Sequence, residues 1–169
     1  MTHKILVIDD EEKMCWALER ALSQEGYQVV TATRGLQGIE LAKKSEPSLV
    51  ILDLKMPDIG GIEVLKQIKE INSSLPVIMI TAHGSIDTAI EAMKIGATDY
   101  ITKPFKLEEI KLQIAKALNL SNLENQLNLA QQELGNKYGK IVGQVRCYKK
   151  GRPLDSAGCQ NWRDSSDHR

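Results

Sequence analysis

Aromatic side chains are scarce in this chain: they make up 4% of its 169 residues, with a single Phe. Any packed core must therefore be aliphatic, built from Leu, Ile, Val, Ala and Met. A surplus of charge of either sign is also missing, since Lys+Arg and Asp+Glu both number 22. Nothing global points to nucleic acid as a partner. Cysteines are few, and the spacing of Cys15, Cys147 and Cys159 fits neither a metal site nor a disulfide framework. Cys15 lies inside a helical pattern and is expected to be a buried or half-buried thiol. No apolar run approaches the ~20 residues needed to span a bilayer. Met1 to Lys4 leads straight into a strand pattern, without the apolar stretch of a signal peptide. The expectation is a cytoplasmic protein with no membrane partner. What is present is 42% hydrophobic residues, enough for a core, in a length that suits one domain plus an extension.

Five short apolar runs stand out: 5–8, 29–32, 49–52, 77–80 and 100–102. The first, third and fourth are continuous rather than alternating, as strands buried on both faces are. Helical patterns fill the gaps, at about 12–24, 36–44, 62–71 and 86–94, with a last one starting near Leu107. Ala17, Leu18, Ala21 and Leu22 share one face of the first of these, and Val64, Leu65, Ile68 and Ile71 are expected inward on the third. Gly26, Gly35, Gly60, Gly61, Gly84 and Gly96 punctuate the joins. A strand–helix unit repeated five times predicts an α/β fold, a doubly wound parallel sheet with helices on both faces.

From Leu107 a helical pattern runs without Gly or Pro up to Gly135, with Leu120, Leu123, Leu127, Ala130 and Leu134 at alternating spacings of three and four. That seam fits a dimerising helix of coiled-coil character. One long helix lying on its own domain is the alternative. Residues 145–169 have few aliphatics, no periodicity, and six basic against three acidic residues. They read as a disordered or non-native tail.

Doubly wound sheets bind ligands beyond the carboxyl ends of their strands. Strand one ends in Asp9 and Asp10, strand three in Asp53, strand four in Thr81, and strand five is followed by Lys103. In a sheet ordered 2-1-3-4-5 these ends converge at one edge. Taken singly, an Asp after a strand is most often a helix cap or turn residue. Together, clustered carboxylates repel unless a cation neutralises them. A donor set of oxygens alone, with no His or Cys, suits a hard divalent ion, and Mg²⁺ fits best because it keeps waters and accepts phosphate oxygens. Asp53 stands alone on the central strand with room above it. A metal on one side, with the Lys103 charge and the Thr81 hydroxyl on the other, makes a phosphoryl site around an Asp53 nucleophile.

Those residues sit in segments that closely resemble, over residues 3–118, the receiver domains of two-component response regulators: ILVIDDE at 5–11, VILDLKMPD at 50–58, Gly60-Gly61, VIMITA at 77–82, GATDY at 96–100 and TKPF at 102–105. The resemblance implies a flavodoxin-like, CheY-like five-stranded parallel sheet of order 2-1-3-4-5. It implies Asp53 as the acceptor of a phosphoryl group from a sensor histidine kinase. It implies Mg²⁺ held by Asp10, Asp53 and the Lys55 main-chain carbonyl, with Asp9 bound directly or through water. Lys103 would pair with the phosphoryl oxygens, and its bond to Pro104 would be cis. Thr81 and Tyr100 would form a switch pair acting on the face made by the fourth helix, fifth strand and fifth helix. Such a domain catalyses only its own phosphorylation and dephosphorylation and is not otherwise an enzyme.

The wording KMPD at 55–58, GGIE at 60–63 and IVGQ at 141–144 resembles enhancer-binding transcription activators of the NtrC type. There the last phrase opens an AAA+ ATPase domain after a helical linker. The implied organisation is a receiver over 1–118, a helical linker over 119–136, the start of a missing ATPase domain over 137–144, and the tail. A homodimer through helix five and the linker follows as an expected partner, driving a transcription-activating output. A stand-alone receiver docking to a partner protein is the alternative. An aspartyl phosphatase is disfavoured, because Lys55, not an acid, stands two places after Asp53 and no segment remains for a substrate cap. No helix-turn-helix fits after residue 120, so direct DNA binding is not expected. Gly135 to Lys140 lacks P-loop spacing. His83 reads either as a modulator of phosphoryl lifetime or as a solvent-facing loop residue.

Overall fold

The protein is described by a computed structural model covering residues 3–82, 86–139, 148–149 and 152–153. Five strands, β1 (Lys4–Ile8), β2 (Gln28–Ala32), β3 (Leu49–Asp53), β4 (Val77–Thr81) and β5 (Asp99–Thr102), form one parallel sheet of order β2-β1-β3-β4-β5. Helices α1 (Glu12–Gln24), α2 (Gly35–Ser45), α3 (Gly61–Ile71), α4 (Ile86–Ile95) and α5 (Leu107–Gly139) connect or follow them. This is the expected architecture, with element ends within a residue or two of the sequence patterns.

The continuous apolar strands are explained by the two layers they separate. Side chains alternate across a strand. Leu6, Ile8, Val50, Leu52, Val77 and Met79 therefore face one way, onto Ile39 and Ala42 of α2, Val64, Leu65 and Ile68 of α3, and Ala92 of α4. Ile5, Val7, Leu49, Ile51, Ile78, Ile80 and Ile101 face the other way, onto Cys15, Leu18 and Leu22 of α1 and Ile110, Ile114, Ala117 and Leu118 of α5. Every residue of β3 and β4 is buried. Each such Ile or Leu contributes about 1.5–3 kcal/mol of transfer free energy, so an aliphatic core suffices without aromatics. Gly38 lets α2 seat directly on β1: a Cβ there would strike the Ile8 side chain.

Three details depart from the sequence patterns. Ile71, expected inward, is 41% exposed. It is the last residue of α3, and Asn72 already leaves helical geometry at φ −148°, ψ 102°. Ala17 is half-buried, and Cys15 takes the inward place on the first turns of α1. Finally, α5 runs through Gly135 to Gly139; a glycine costs a helix only ~1 kcal/mol.

The chain divides into a compact unit over Met1–Asn125 and a second over Gln126–Arg169. The 118/119 boundary expected from the sequence falls inside the continuous α5. Leu120, Leu123 and Leu127 are all more than half exposed, while the side chains of Ala130 and Leu134 lie outside the described residues. In the second unit, β6 (Tyr148–Lys149) and β7 (Arg152–Pro153) pair antiparallel. The rest of the expected ATPase start and tail, with Cys147 and Cys159, lies outside the described residues, as does His83. Among the described residues no helix is long and apolar enough to cross a membrane.

Candidate functional site

The sheet order sets β1 and β3 side by side, with β4 and β5 next, so the polar residues at their carboxyl ends meet. Asp9 directly follows β1, and its N–H donates to the Ala32 carbonyl at 3.1 Å, carrying the ladder one step past the strand. Its side chain points inward and is buried; Asp10, the next residue, is exposed. Asp53 ends β3, buried on the central strand. Oxygens of Asp9, Asp10 and Asp53 all lie within 4.8 Å of one another.

Lys103, the first residue beyond β5, is fixed by its own N–H, which donates to the Thr81 carbonyl at 2.7 Å, and its bond to Pro104 is cis. Its ammonium donates to Asp9 Oδ2 and to Asp53 Oδ2, both at 2.8 Å. The second oxygen of each carboxylate is also used. Asp9 Oδ1 accepts the Glu11 N–H at 2.9 Å, and Asp53 Oδ1 accepts the Lys55 N–H at 3.2 Å. Lys103 thus bridges the two buried acids.

Burial raises the Asp9 carboxyl above its ordinary range despite the Lys103 hydrogen bond, and the neighbouring Asp53 charge adds to the rise. Burial alone would lower the Lys103 ammonium, but its hydrogen bonds to Asp53 and Asp9 outweigh that and raise it. The two shifts pull against each other: the first favours a neutral pair, the second a charged one. The charged pair is the state at neutral pH, because one ammonium touches two carboxylates and any proton given to Asp9 would cost one of those contacts. Cys15 sits beneath, its thiol donating to the Asp9 carbonyl at 3.3 Å; burial pushes it up to about 11. It is therefore a packed thiol at neutral pH, not a thiolate nucleophile.

The oxygen-only donor set suits a divalent cation of the Mg²⁺ kind. Two further residues singled out in the sequence lie on the neighbouring strands. Thr81 ends β4 and is fully buried. Tyr100 on β5 packs against the α2–α3–α4 side of the core, and among the described residues its buried hydroxyl has no hydrogen-bond partner. An open apolar depression lined by Met14, Ala82, Pro104 and Phe105 flanks Lys103.

The structure therefore brings together Asp9, Asp10, Asp53 and Lys103, as the strand ends predicted. It also shows two residues to which sequence reasoning assigned no part in the site. Gly61 donates its N–H to the Leu54 carbonyl at 2.9 Å, and a Cβ on it would fall onto the Asp53 carbonyl and Leu54. Asp58 accepts the N–H groups of Gly35 and Leu36, each at 3.0 Å. The available signal for Asp58 was an absence. Arg34 precedes α2 and makes no side-chain cap, so the first amides of that helix needed an acceptor from elsewhere.

Residues 5–115 match the family described as the response regulator receiver domain. The transcriptional regulatory protein ZraR of Klebsiella oxytoca is 43% identical over 114 residues, which are 68% of this chain and 26% of that protein. The chain thus spans about a quarter of that relative's length. Sporulation initiation phosphotransferase F of Bacillus subtilis is 38% identical over 122 residues, 72% of this chain and 98% of that protein. Among solved structures, the beryllofluoride-activated NtrC4 receiver domain dimer superposes with a TM-score of 0.67 at 37% identity, covering 70% of this chain and 98% of that one.

Proposed function

The chain belongs to the response regulator receiver domain family, and from that premise we propose that it accepts a phosphoryl group from a sensor histidine kinase on Asp53. The observation that carries this reading is the bridging of buried Asp9 and Asp53 by Lys103 at the carboxyl edge of the sheet, beside Asp10. An Asp53 oxygen attacks phosphorus, the phosphorus–nitrogen bond to the kinase histidine breaks, and an aspartyl phosphate forms. Asp10, Asp53 and the Lys55 main-chain carbonyl, with Asp9 directly or through water, would hold Mg²⁺. Bound there, the ion supplies the positive charge that lets phosphoryl oxygens approach a carboxylate. Lys103 moves from the Asp53 carboxylate to the new phosphoryl oxygens. The acquired charge of about −1.5 to −2 draws the Thr81 hydroxyl inward, and Tyr100 fills the space it leaves. The α4-β5-α5 face and a homodimer through α5 and the linker transmit the change.

In this reading residues 1–118 are the receiver, 119–136 the linker, 137–144 the start of an ATPase domain and 145–169 a tail. The whole works in the cytoplasm on a transcription-activating output and catalyses only its own phosphorylation and dephosphorylation. A second reading, a stand-alone receiver that docks to a partner protein, is favoured by the match to nearly the full length of the Bacillus subtilis phosphotransferase.

Acetyl phosphate with Mg²⁺ is expected to add one phosphoryl group to the protein, read by intact mass, and Asp53→Asn to abolish the addition. Labelling of Asp53→Asn at the unsubstituted level would remove Asp53 from the role.

A further inference from the structure

The loop between β3 and α3 carries Lys55, and it is braced at both ends. At its near end the Leu54 N–H donates to the Ile80 carbonyl and the Gly61 N–H to the Leu54 carbonyl, each at 2.9 Å. At its far end Asp58 reaches the start of α2, 23 residues away in sequence, with Oδ1 on the Gly35 N–H and Oδ2 on the Leu36 N–H. The carboxylate thus caps an 11-residue helix whose own preceding residue, Arg34, provides no cap. The helix dipole favours an anion there. Those amide hydrogen bonds hold the Asp58 carboxyl at about 2, even though it lies at the surface. The approach is tight: a Cβ on Gly35 would stand 2.7 Å from Ile59 Cγ1 and from Val64 Cγ2. Met56 and Ile59 of the same loop pack on the core.

Between these braces lies Lys55, two residues beyond the strand and exposed. Asp53 is held by the sheet, whereas Lys55 is tied to the strand end only through its N–H on Asp53 Oδ1 and otherwise follows the loop. Mg²⁺ demands near-octahedral oxygens at about 2.0–2.1 Å, so a drifting carbonyl weakens binding. We propose that Asp58 is a positioning residue of the phosphoryl site, which by clamping the β3–α3 loop to the N-terminus of α2 holds the Lys55 carbonyl where it completes the divalent-cation site. This rests on the reading of Asp53 as phosphoacceptor.

The test is the Mg²⁺ concentration giving half-maximal labelling by acetyl phosphate, with thermal unfolding measured alongside. Asp58→Ala is expected to raise that concentration about tenfold, the scale on which supporting groups tune metal affinity. The labelling rate at saturating Mg²⁺ should stay within about twofold, since the reacting groups are untouched. Asp58→Asn, which keeps one acceptor, should fall between, and it serves should the Ala variant not fold. The double variant Arg34→Ser/Asp58→Ala separates clamp from cap. The introduced serine hydroxyl caps α2 locally and returns the unfolding midpoint, while the Mg²⁺ requirement stays high. An unchanged Mg²⁺ requirement in Asp58→Ala and Asp58→Asn, or its recovery together with stability in the double variant, would overturn the positioning role and leave the Asp53 reading standing. Absence of labelling in the unsubstituted protein would overturn both.

Discussion

Replacing Lys103 by Met removes one ammonium and keeps most of the apolar stem. Asp9 and Asp53, 2% and 5% exposed, then face each other without a cation. Their oxygens lie within 4.8 Å, and at an effective dielectric of about 20 two charges so placed repel by roughly 3.5 kcal/mol. In the parent the Lys103 ammonium, 2.8 Å from each carboxylate, offsets that repulsion, and the variant leaves it uncompensated. Protonation caps that penalty. Neutralising a carboxyl of ordinary pKa costs about 4 kcal/mol at pH 7 but only about 1.5 kcal/mol at pH 5. The Asp9 carboxyl is already raised by burial, and loss of Lys103 raises it further. A group raised in the folded state contributes stability that is fully present below its unfolded pKa and lost as pH rises through its folded one. The variant should therefore be less stable than the parent by about 3.5 kcal/mol at pH 7 and by no more than about 1.5 kcal/mol at pH 5. Urea unfolding followed by circular dichroism at both pH values reads the difference. Saturating Mg²⁺ should recover part of the deficit at pH 7, by binding only the folded form. An equal deficit at both pH values would show that Lys103 matters for its packing and not for its charge.

Gly61→Ala should destabilise the fold by about 1–3 kcal/mol and slow labelling of Asp53, because the new methyl falls on the Asp53 carbonyl and Leu54; denaturant midpoints and mass spectrometry measure the two effects. Asp58, held at about 2 against an ordinary 3.8, contributes stability present above the unfolded value and lost as pH falls through the folded one. Asp58→Ala should cost about 1 kcal/mol at neutral pH, as loss of a helix cap does, and its gap from the parent should close between about pH 4 and 2. Leu120→Ser/Leu123→Ser removes two exposed leucines of α5 and should leave the beryllofluoride-treated protein monomeric in sedimentation. A dimer of unchanged affinity would exclude that part of α5 as the interface.

The elements themselves were legible in the sequence. Continuous runs such as Leu49–Leu52 and Val77–Ile80 read as two-sided burial, and the structure buries every residue of β3 and β4. Period and burial are local quantities, so a one-dimensional pattern records them. Ile71 shows the limit of that record. Its spacing matches the inward stripe of α3, but whether a stripe is covered at its last turn depends on where the neighbouring elements stop.

The site was legible as a set of residue types at strand ends, since a parallel sheet delivers its carboxyl ends to one edge whatever the details. Only the tertiary structure decided what touches what. Asp9 and Asp10 look alike in sequence, yet one is buried on Lys103 and the other exposed. Lys103 reaches across 94 and 50 residues to its partners, and Asp58 across 23 and 22. Distances of that kind follow from how helices seat on a sheet, as Gly38 and Gly61 permit. The chain alone determined which side chains come to the carboxyl edge. Packing determined which carboxylate takes the lysine, which is left at the surface, and which one is diverted to clamp the loop.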